Sequence, residues 1–397
     1  MKPTVKVLSL LLAVMMLFTA IASGCTFSKE WCYKTDDDKL DIGVYIYALY
    51  NAYNRAQTYA EKLDDYDPSK DSWLDMEITD DDGNKEVASK WIKEQAEESC
   101  LELMALEAEM KKLDATADSA TLQALETDAE SNWYFGTTNT EYLQYYSFTP
   151  LKDTLEPKGV SLESFKRFSA NFSANCEKMF ALLYLKGGSQ EVKKEEITKY
   201  FEENYVKYSY LPIPLYESTT DETTGQSKNV AYDDAKIKKI TDEIDKYVKQ
   251  VNDTKDTAKA AETSEKLIKE FATANGMEES AVSTSTGIRN ETNVDTDVDK
   301  VIAELGEGKA KAIKVGKGEN ANYYYVFRYN MDSAKADYLT PGTNDNTIIS
   351  KMKQKDFQKY LKDLAADFKH DRSDAVDSYK PDMFFVAKEP ETTAATE

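Results

Sequence analysis

Histidine is nearly absent from this chain of 397 residues, which contains His370 and no other histidine. This scarcity excludes a metal site built from several histidines, and a nucleophile–histidine pair with a second histidine to spare. His370 follows residues 344–369, which are predicted to be helical, and it is expected to be a solvated residue at a helix end. The sequence therefore predicts no catalytic residue, no metal and no cofactor.

Basic residues are too few to balance the acidic ones. The chain has 50 Lys and Arg against 72 Asp and Glu, and its net charge is −22. Nucleic-acid binding needs clustered basic side chains, so a nucleic-acid partner is not expected. The acidic clusters at 36–38 and 80–82 are expected to be solvated surface, with weak cation binding as the alternative. The spacing of Asp80, Asp82 and Gly83 does not match a calcium loop.

The chain has one long apolar run, residues 7–20, which follows Lys2 and Lys6. Its length suits a signal peptide and is short for a membrane span of about 20 residues. Residues 21–25, Ile-Ala-Ser-Gly-Cys, resemble a bacterial lipobox, in which Cys25 would be diacylated and become the mature N-terminus. Ala22 stands where such motifs usually have Leu. The alternative is ordinary secretion with cleavage near Ala22.

Lipidation would tie the protein stably to a membrane, because two acyl chains together suffice for anchoring. It would also leave three cysteines, Cys32, Cys100 and Cys176. Three is an odd number, so no complete disulfide framework is expected. Cys100 and Cys176 fall in predicted helices and are expected to be small buried apolar residues.

Apolar residues recur at helical spacing through the first half of the chain and again near its end. The predicted helices are residues 41–63, 87–113, 119–132, 161–183 and 344–369. The helix that begins after the N-cap Ser161 carries the stripe Phe165, Phe168, Phe172, Cys176, Met179 and Leu183. That stripe is expected to be core, with a cradle for an unfolded polypeptide as the alternative. Residues 133–148 are rich in aromatic side chains. Residues 378–386 are apolar enough to pack against the helical part of the protein.

Residues 191–216 are predicted to be a hinge between two domains. An amphipathic helix with Ile197, Tyr200 and Phe201 on one face leads into an extended segment containing Pro212 and Pro214. Neither proline has a backbone N–H group, and in a strand the nitrogens of residues 212 and 214 would point to the same side. That side of the strand would therefore lack two hydrogen-bond donors. This strand is therefore expected to lie at a sheet edge or to be broken.

The segment that follows is predicted to mix strands and helices. The prediction gives a strand at 208–216, a polar loop at 217–230 and helices at 232–251 and 258–274. Two further strands at 310–315 and 323–329 would be joined by the turn 316–320.

Three segments together resemble the PrsA/SurA-type foldases, and more narrowly their lipid-anchored relatives in Gram-positive bacteria. They are residues 84–96, residues 159–165 and the helix EEITKYFEENY at 195–205. The resemblance implies a mostly α, α+β fold: a SurA N-terminal-like helical chaperone domain completed by a C-terminal return helix, with an inserted parvulin-like domain. The implied organisation is a signal peptide 1–24, a tether 25–39, a helical domain 40–195, a parvulin-like domain 196–335, a return helix 336–388 and a disordered tail 389–397.

The isomerase site of that family does not carry over. The family places one histidine at the start of the first strand and another in the last strand. Here Tyr210 stands near the first position, and Tyr324 or Tyr325 stands near the second. The resemblance therefore implies the isomerase fold without isomerase chemistry.

The expected function is that of a chaperone tethered by the Cys25 lipid to the extracytoplasmic face of the cell membrane. Its partners would be unfolded or partly folded exported proteins. The candidate peptide-binding residues are Tyr45, Tyr142, Tyr145, Phe168 and Phe172. One alternative is a divergent but active prolyl isomerase. The other is a non-catalytic lipoprotein that binds a surface partner or a solute.

Overall fold

The chain folds into two compact units. The computed structural model describes residues 30–220, 227–292, 294–339 and 345–387. The first unit comprises Met1–Ser189 with Gln354–Glu397, and the second is Gln190–Lys353. Helices predominate and the strands are short, so the chain has the predicted mostly α, α+β class. In the described ranges, no helix has both the length and the apolar character needed to cross a membrane. The signal peptide, Cys25 and the tail 389–397 lie outside the described residues.

The first unit is built around helix α1, Ile42–Ala60. Tyr45, Ile46 and Leu49 on this helix are at most 2% exposed, because apolar residues three and four apart share one helix face. Helix α2, Ala88–Lys112, packs along α1. The remaining helices of this unit are α3 (Ser119–Phe135), α4 (Leu151–Leu155), α5 (Leu162–Lys166) and α6 (Phe172–Tyr184).

A three-stranded antiparallel sheet covers one end of this core. Its order is β11–β1–β2, with β1 at Trp31–Lys34, β2 at Lys39–Asp41 and β11 at Asp371–Arg372. The prediction that residues 25–39 form a tether is therefore wrong for residues 31–34 and 39. Cys32 and Tyr33 are fully buried, and the Ser373 amide donates to the Cys32 carbonyl over 2.9 Å. Strand β1 pairs with the nearby β2 and with β11, which lies over 300 residues away in the chain.

The predicted turn in residues 82–84 joins a two-stranded hairpin. Strands β3 (Glu77–Thr79) and β4 (Lys85–Val87) are antiparallel, and Gly83 has a φ of +83° between them. Such a φ favours glycine, which has no Cβ to clash with the preceding turn. The predicted turn at residues 82–84 is therefore confirmed.

The predicted helix at 161–183 is confirmed, but it is interrupted. Ser161 is the N-cap and accepts a hydrogen bond from the Ser164 amide over 3.0 Å. A π-helical turn at Arg167–Asn171 separates α5 from α6. The extra residue in such a turn shifts the positions that follow it around the helix axis. Within the predicted stripe, Phe165, Met179 and Leu183 are buried, whereas Phe168, Phe172 and Cys176 are half-buried.

The end of the chain also belongs to the first unit. A long helix, Asp345–Ala366, enters this unit at residue 354. Its Phe357 ring lies 5.4 Å from the Phe180 ring. Further along, Phe384 is buried and its ring lies 5.4 Å from that of Tyr50, so the predicted docking of 378–386 is confirmed. His370 is half-buried against the Tyr33 ring rather than solvated.

The second unit contains a four-stranded antiparallel sheet of order β8–β5–β10–β9. The second unit begins slightly before and ends well after the predicted parvulin-like domain, residues 196–335. Its strands are β5 (Tyr205–Pro214), β8 (Ser283–Ile288), β9 (Lys309–Val315) and β10 (Asn322–Arg328). Its helices are α7 (Lys194–Asn204), α8 (Asp234–Asp253), α9 (Thr257–Ala274), α10 (Thr296–Glu304) and α11 (Asp332–Tyr338), followed by α12 (Asp345–Ala366), which leaves the unit after residue 353. Helices α8 and α9 pack on one face of the sheet, and α10 packs on the other.

The prediction that this strand lies at a sheet edge or is broken is wrong for Tyr205–Tyr210, which pairs with β8, and is confirmed for residues 211–214, which among the described strands pair with β10 alone. The prolines lie where β8 has ended. The Leu215 amide donates to the Ala321 carbonyl, and the Lys207 carbonyl accepts from the Tyr329 amide. The backbone N–H and C=O groups of the odd-numbered residues in this strand therefore point toward β10. The backbone nitrogens of Pro212 and Pro214 therefore point to the other side of β5, beyond the end of β8. No described strand pairs with β5 there, so the missing N–H groups cost no hydrogen bond of the sheet.

The predicted polar loop at 217–230 is instead a hairpin. Strands β6, Tyr216–Thr220, and β7, Ser227–Ala231, pair antiparallel, and residues 221–226 between them are not described. Ser and Thr side chains suit an exposed strand pair, and the Ser218 hydroxyl bonds to Asn229 over 2.7 Å. A polar composition concealed the strands because neither face of this hairpin is buried.

Candidate functional site

The exposed large apolar side chains of the first unit concentrate in residues 134–148, the last two residues of α3 and the loop after it, which we call the aromatic loop. It contributes seven of the large apolar side chains that remain exposed: Tyr134, Phe135, Tyr142, Leu143, Tyr145, Tyr146 and Phe148. A cluster of exposed aromatic side chains is unusual on a soluble surface and is typical of a site that contacts a partner. We therefore take the aromatic loop as the candidate site.

Both ends of the aromatic loop are fixed to the core. Helix α3 starts at the N-cap Asp118, whose carboxylate accepts from the Thr121 amide over 2.9 Å. Near the end of α3, the buried Trp133 ring stacks on Phe165 with 5.4 Å between ring centroids. The loop returns to α4, whose Leu155 is fully buried. The aromatic side chains thus project from a rigid base.

Gly136 allows the two ends of the loop to meet. Its φ of +72° is left-handed, and a Cβ placed there would lie 2.4 Å from the Thr149 carbonyl oxygen. Only glycine combines this backbone conformation with so close an approach. The loop therefore leaves the helix and returns at nearly the same point.

The rings within the loop contact one another rather than the core. Tyr142 and Tyr146 are T-shaped with centroids 6.1 Å apart, and Tyr146 lies 6.4 Å from Phe148. Tyr145 is 73% exposed and Tyr146 is 63% exposed. The hydroxyls of the tyrosines give this aromatic surface polar edges.

The five predicted peptide-binding residues lie in three different environments. Tyr142 and Tyr145 lie in one turn of the aromatic loop, where the Tyr145 amide donates to the Tyr142 carbonyl over 2.9 Å. Phe168 and Phe172 are half-buried, with centroids 6.2 Å apart. Tyr45 is only 2% exposed and packs against Tyr33, so its prediction as a surface contact is wrong.

Sequence reasoning missed Tyr134, Phe135, Tyr146 and Phe148. The available signal was the density of aromatics in 133–148 combined with the absence of a helical or strand period. Without a period, these side chains cannot share one buried face. An aperiodic aromatic segment is therefore better evidence for exposure than the position of any single ring.

The three tyrosines at the degenerate isomerase positions do not form one site. Tyr325 is buried on the α8–α9 face, where its hydroxyl bonds to Ser264 over 2.7 Å. Tyr210 and Tyr324 lie on the opposite face, against α10. Burial raises the pKa of Tyr324 and Tyr325, so both hydroxyls stay protonated at neutral pH. These side chains pack the sheet on both of its faces.

A polar cavity of about 360 Å³ also lies in the first unit. Its walls carry both signs of charge, including Arg55, Asp81, Glu98, Glu102 and Lys362. The Lys362 ammonium lies 3.3 Å from Glu98. Burial, and next the charge of Glu98, raise the pKa of the Glu102 carboxyl to about 7. Within the described residues, no group of acidic, Cys or His side chains has the arrangement needed to hold a metal ion.

Comparison with known proteins gives structural neighbours only. No protein-family model matches the chain, and no curated protein matches it. The foldase protein PrsA from Streptococcus pneumoniae is 15% identical, covering 78% of this chain and 100% of its own, with a TM-score of 0.33. PrsA from Bacillus subtilis is 12% identical, covering 75% and 94%, with a TM-score of 0.26. At these values the neighbours assign neither a family nor a function.

Proposed function

We propose that this chain is a lipid-anchored extracytoplasmic protein that binds unfolded exported polypeptides and lacks prolyl-isomerase chemistry. The observation that carries the proposal is the aromatic loop. An unfolded polypeptide exposes apolar side chains in no fixed order, so its binder needs apolar area rather than a shaped pocket. Clustered, exposed tyrosine and phenylalanine rings supply such area at little cost in side-chain entropy.

The net charge supports the same function. At −22, the protein repels other copies of itself and stays soluble while it presents aromatic rings to solvent. Polypeptides with basic segments would be attracted, whereas acidic ones would be held weakly. We expect binding to basic clients to weaken as salt is added, since screening removes the attraction.

The absence of isomerase chemistry in the proposal rests on the sheet of the second unit. The hydroxyl of Tyr325 is hydrogen-bonded to Ser264, and Tyr210 projects to the other face of the sheet. Tyr324 shares the face of Tyr210, so the three tyrosines are divided between the two faces and do not converge on one X–Pro bond. The parvulin-like description of this unit is itself part of the proposal.

Two assays on one preparation test the proposal. The chain from Thr26 onward would be added to a refolding client, and the same sample would be assayed with a proline-containing peptide. We expect suppression of aggregation without acceleration of isomerisation. Accelerated isomerisation would instead favour the divergent enzyme, and absence of both activities would favour a surface interaction protein.

The anchor is tested separately through Cys25. In bacterial cells, the wild-type chain should incorporate labelled fatty acid and sediment with membranes. Cys25→Ala should abolish the label and release the protein from the membrane fraction. Release of the wild type into the soluble fraction would contradict the anchor and leave ordinary secretion.

The polar cavity favours a second candidate, the binding of a small zwitterionic solute. Arg55 and Lys362 could pair with a carboxylate, and Asp81 and Glu98 with an ammonium group. Isothermal titration with free amino acids tests this candidate. Saturable binding that is lost in Arg55→Ala would support it.

A further inference from the structure

The four-stranded sheet of the second unit has three stretches of backbone to which another strand could add. Strands β9 and β8 are its outer strands, and residues 211–214 of β5 extend beyond the end of β8. An open edge presents unpaired N–H and C=O groups, and an extended polypeptide can pair with them as a further strand. Each of the three stretches carries a feature that opposes such pairing.

On β9, a side chain stands where a neighbouring strand would pair. Asn252, near the end of α8, donates from Nδ2 to the Ala310 carbonyl over 2.9 Å, and its Oδ1 accepts from the Ala310 amide over 2.8 Å. A side-chain amide has the same donor and acceptor as a peptide group. Asn252 therefore satisfies both outward backbone groups of Ala310. Lys311 and Lys314 are exposed on the same strand, and lysine on an edge strand opposes the addition of another chain.

On β8, a tyrosine lies against the outer edge. Because even-numbered residues of β5 point their backbone groups toward β8, those of Thr286, which lies opposite Lys207, point outward. The hydroxyl of Tyr338, the last residue of α11, donates to the Thr286 carbonyl over 3.3 Å. The Tyr338 ring also stacks on Phe201 of α7, with 5.4 Å between ring centroids. A strand that paired with β8 would have to displace this side chain.

On β5, the stretch beyond β8 has no donors to offer. The nitrogens of Pro212 and Pro214 point to the side where β8 has ended, and neither nitrogen carries a hydrogen. Leu211 and Ile213, which alternate with the prolines, are at most 3% exposed, so the stretch is held firmly in the sheet. An added strand would find carbonyl acceptors there and no N–H group to complete a ladder.

We propose that this sheet is closed to strand addition by three independent features: Asn252 on β9, Tyr338 on β8 and the two prolines on β5. The partners that it excludes are extended polypeptides, either unfolded clients or a second copy of this chain. The exclusion of clients rests on the proposed function, whereas the exclusion of a second copy does not. The three features differ in chemistry and lie in different elements, so no single local constraint accounts for all of them.

The consequence concerns how an unfolded polypeptide is held. A chain that pairs along a sheet edge is bound by successive backbone hydrogen bonds, whatever its sequence. Contacts between side chains and exposed aromatic rings leave the backbone of the bound chain free. A closed sheet therefore limits the protein to side-chain contacts, from which a client can dissociate and fold.

The first test measures self-association and needs no client. The full mature chain would carry Cys25→Ser, so that no lipid is attached. Pro212→Thr with Pro214→Thr restores two donors in β-branched residues, and Asn252→Ala removes the side-chain amide from β9. Sedimentation equilibrium should show that the combined variant self-associates at least about tenfold more tightly than the unchanged protein. Pro68→Thr, at an exposed loop residue, is the matched control and should behave as the unchanged protein does.

The second test adds a client. A reduced and carboxamidomethylated polypeptide should dissociate from the combined variant at least about tenfold more slowly than from the unchanged protein. If the unchanged protein does not bind this polypeptide, the proposed function is contradicted, and self-association still tests the sheet.

Hydrogen exchange in the unchanged protein gives a result that does not depend on whether the variants fold. The Ala310 amide points away from β10, yet it should exchange slowly because Asn252 accepts its hydrogen. Rapid exchange of this amide would overturn the proposal. Natively folded variants that self-associate no more than the unchanged protein would also overturn it.

Discussion

The second unit contains a buried pair of hydroxyl groups. Tyr325 is 1% exposed and Ser264 is also 1% exposed, and their oxygens lie 2.7 Å apart. At that depth each hydroxyl depends on the other for its hydrogen bond, because water has no access. This pairing makes Tyr325 a structural residue.

Tyr325→Phe should therefore destabilise the protein through the partner it leaves behind. The buried Ser264 hydroxyl would lose its bond at a cost of about 1–3 kcal/mol in the free energy of unfolding. Adding Ser264→Ala should recover most of that loss, because no polar group then remains unpaired. Urea unfolding of the two single variants and the double variant measures the coupling. Additive losses would show that the two hydroxyls do not depend on each other.

Glu102 makes the stability of the first unit depend on pH. Its carboxyl pKa is raised from 4.5 to about 7, first by burial and then by Glu98, while Lys362 acts in the opposite direction. Between these two values the folded state binds the proton more tightly than the unfolded state. The contribution of Glu102 to the free energy of unfolding therefore falls as pH rises from about 4.5 to 7, and the full penalty is present above 7.

Glu102→Gln should remove that penalty. We expect the free energy of unfolding at pH 7.5 to rise by about 2 kcal/mol, with little change at pH 4.5, since glutamine stays neutral at both. Glu94→Gln, on an exposed part of the same helix, is the control and should change stability little. Thermal or urea unfolding across this pH range measures both. Stabilisation of equal size at both pH values would contradict the assignment.

At the scale of elements, Gly136 determines how the aromatic loop is closed. Gly136→Ala would add a Cβ 2.4 Å from the Thr149 carbonyl oxygen, at a residue with φ of +72°. Gly83→Ala has the same strained φ, at +83°, but nothing lies within 4 Å of its Cβ. The first substitution should cost more than the second, which should cost about 1 kcal/mol. Urea unfolding measures both losses.

Proteolysis gives a second measurement of the same prediction. If Gly136 closes the loop, Gly136→Ala should speed cleavage within residues 137–148, whereas Gly83→Ala should leave that rate unchanged. Equal stability losses and equal cleavage rates in the two variants would show that the loop does not depend on the close approach at Gly136.

Elements defined by local pattern were predictable from the sequence, and elements defined by distant partners were not. Helix α1 follows from apolar residues three and four apart, and the hairpin around Gly83 follows from its turn residues. Strand β1, predicted to be part of a tether, pairs with the nearby β2 and with β11 at residues 371–372, and the second pairing lies beyond the reach of a local pattern. The inner position of β5 was missed for the same reason, since its neighbours β8 and β10 are far along the chain.

The candidate site divides in a similar way. Aromatic density in 133–148 pointed to Tyr142 and Tyr145, and the structure leaves both exposed. Tyr45 has the same chemistry but lies in a helix with a clear apolar face, which places it in the core. Residue type alone does not separate these cases, whereas the presence or absence of a period does.

At the scale of the whole molecule, an acidic surface and one aromatic loop are the features most relevant to function. The net charge of −22 disfavours self-association and acidic partners. In the proposed function, the loop supplies exposed rings for apolar contacts with an unfolded chain. The central claim is therefore that binding of unfolded polypeptide depends on residues 134–148.

The most direct test is a binding measurement with a permanently unfolded client. A fluorescently labelled polypeptide, reduced and carboxamidomethylated so that it cannot refold, would be titrated with the protein and followed by anisotropy. The variant Tyr142→Ser, Tyr145→Ser and Tyr146→Ser removes three exposed rings, and Leu113→Ser with Val230→Ser removes exposed apolar residues elsewhere. We expect the first variant to weaken the Kd about tenfold or more and the second to leave it nearly unchanged. Equal affinity for all three proteins would contradict the account.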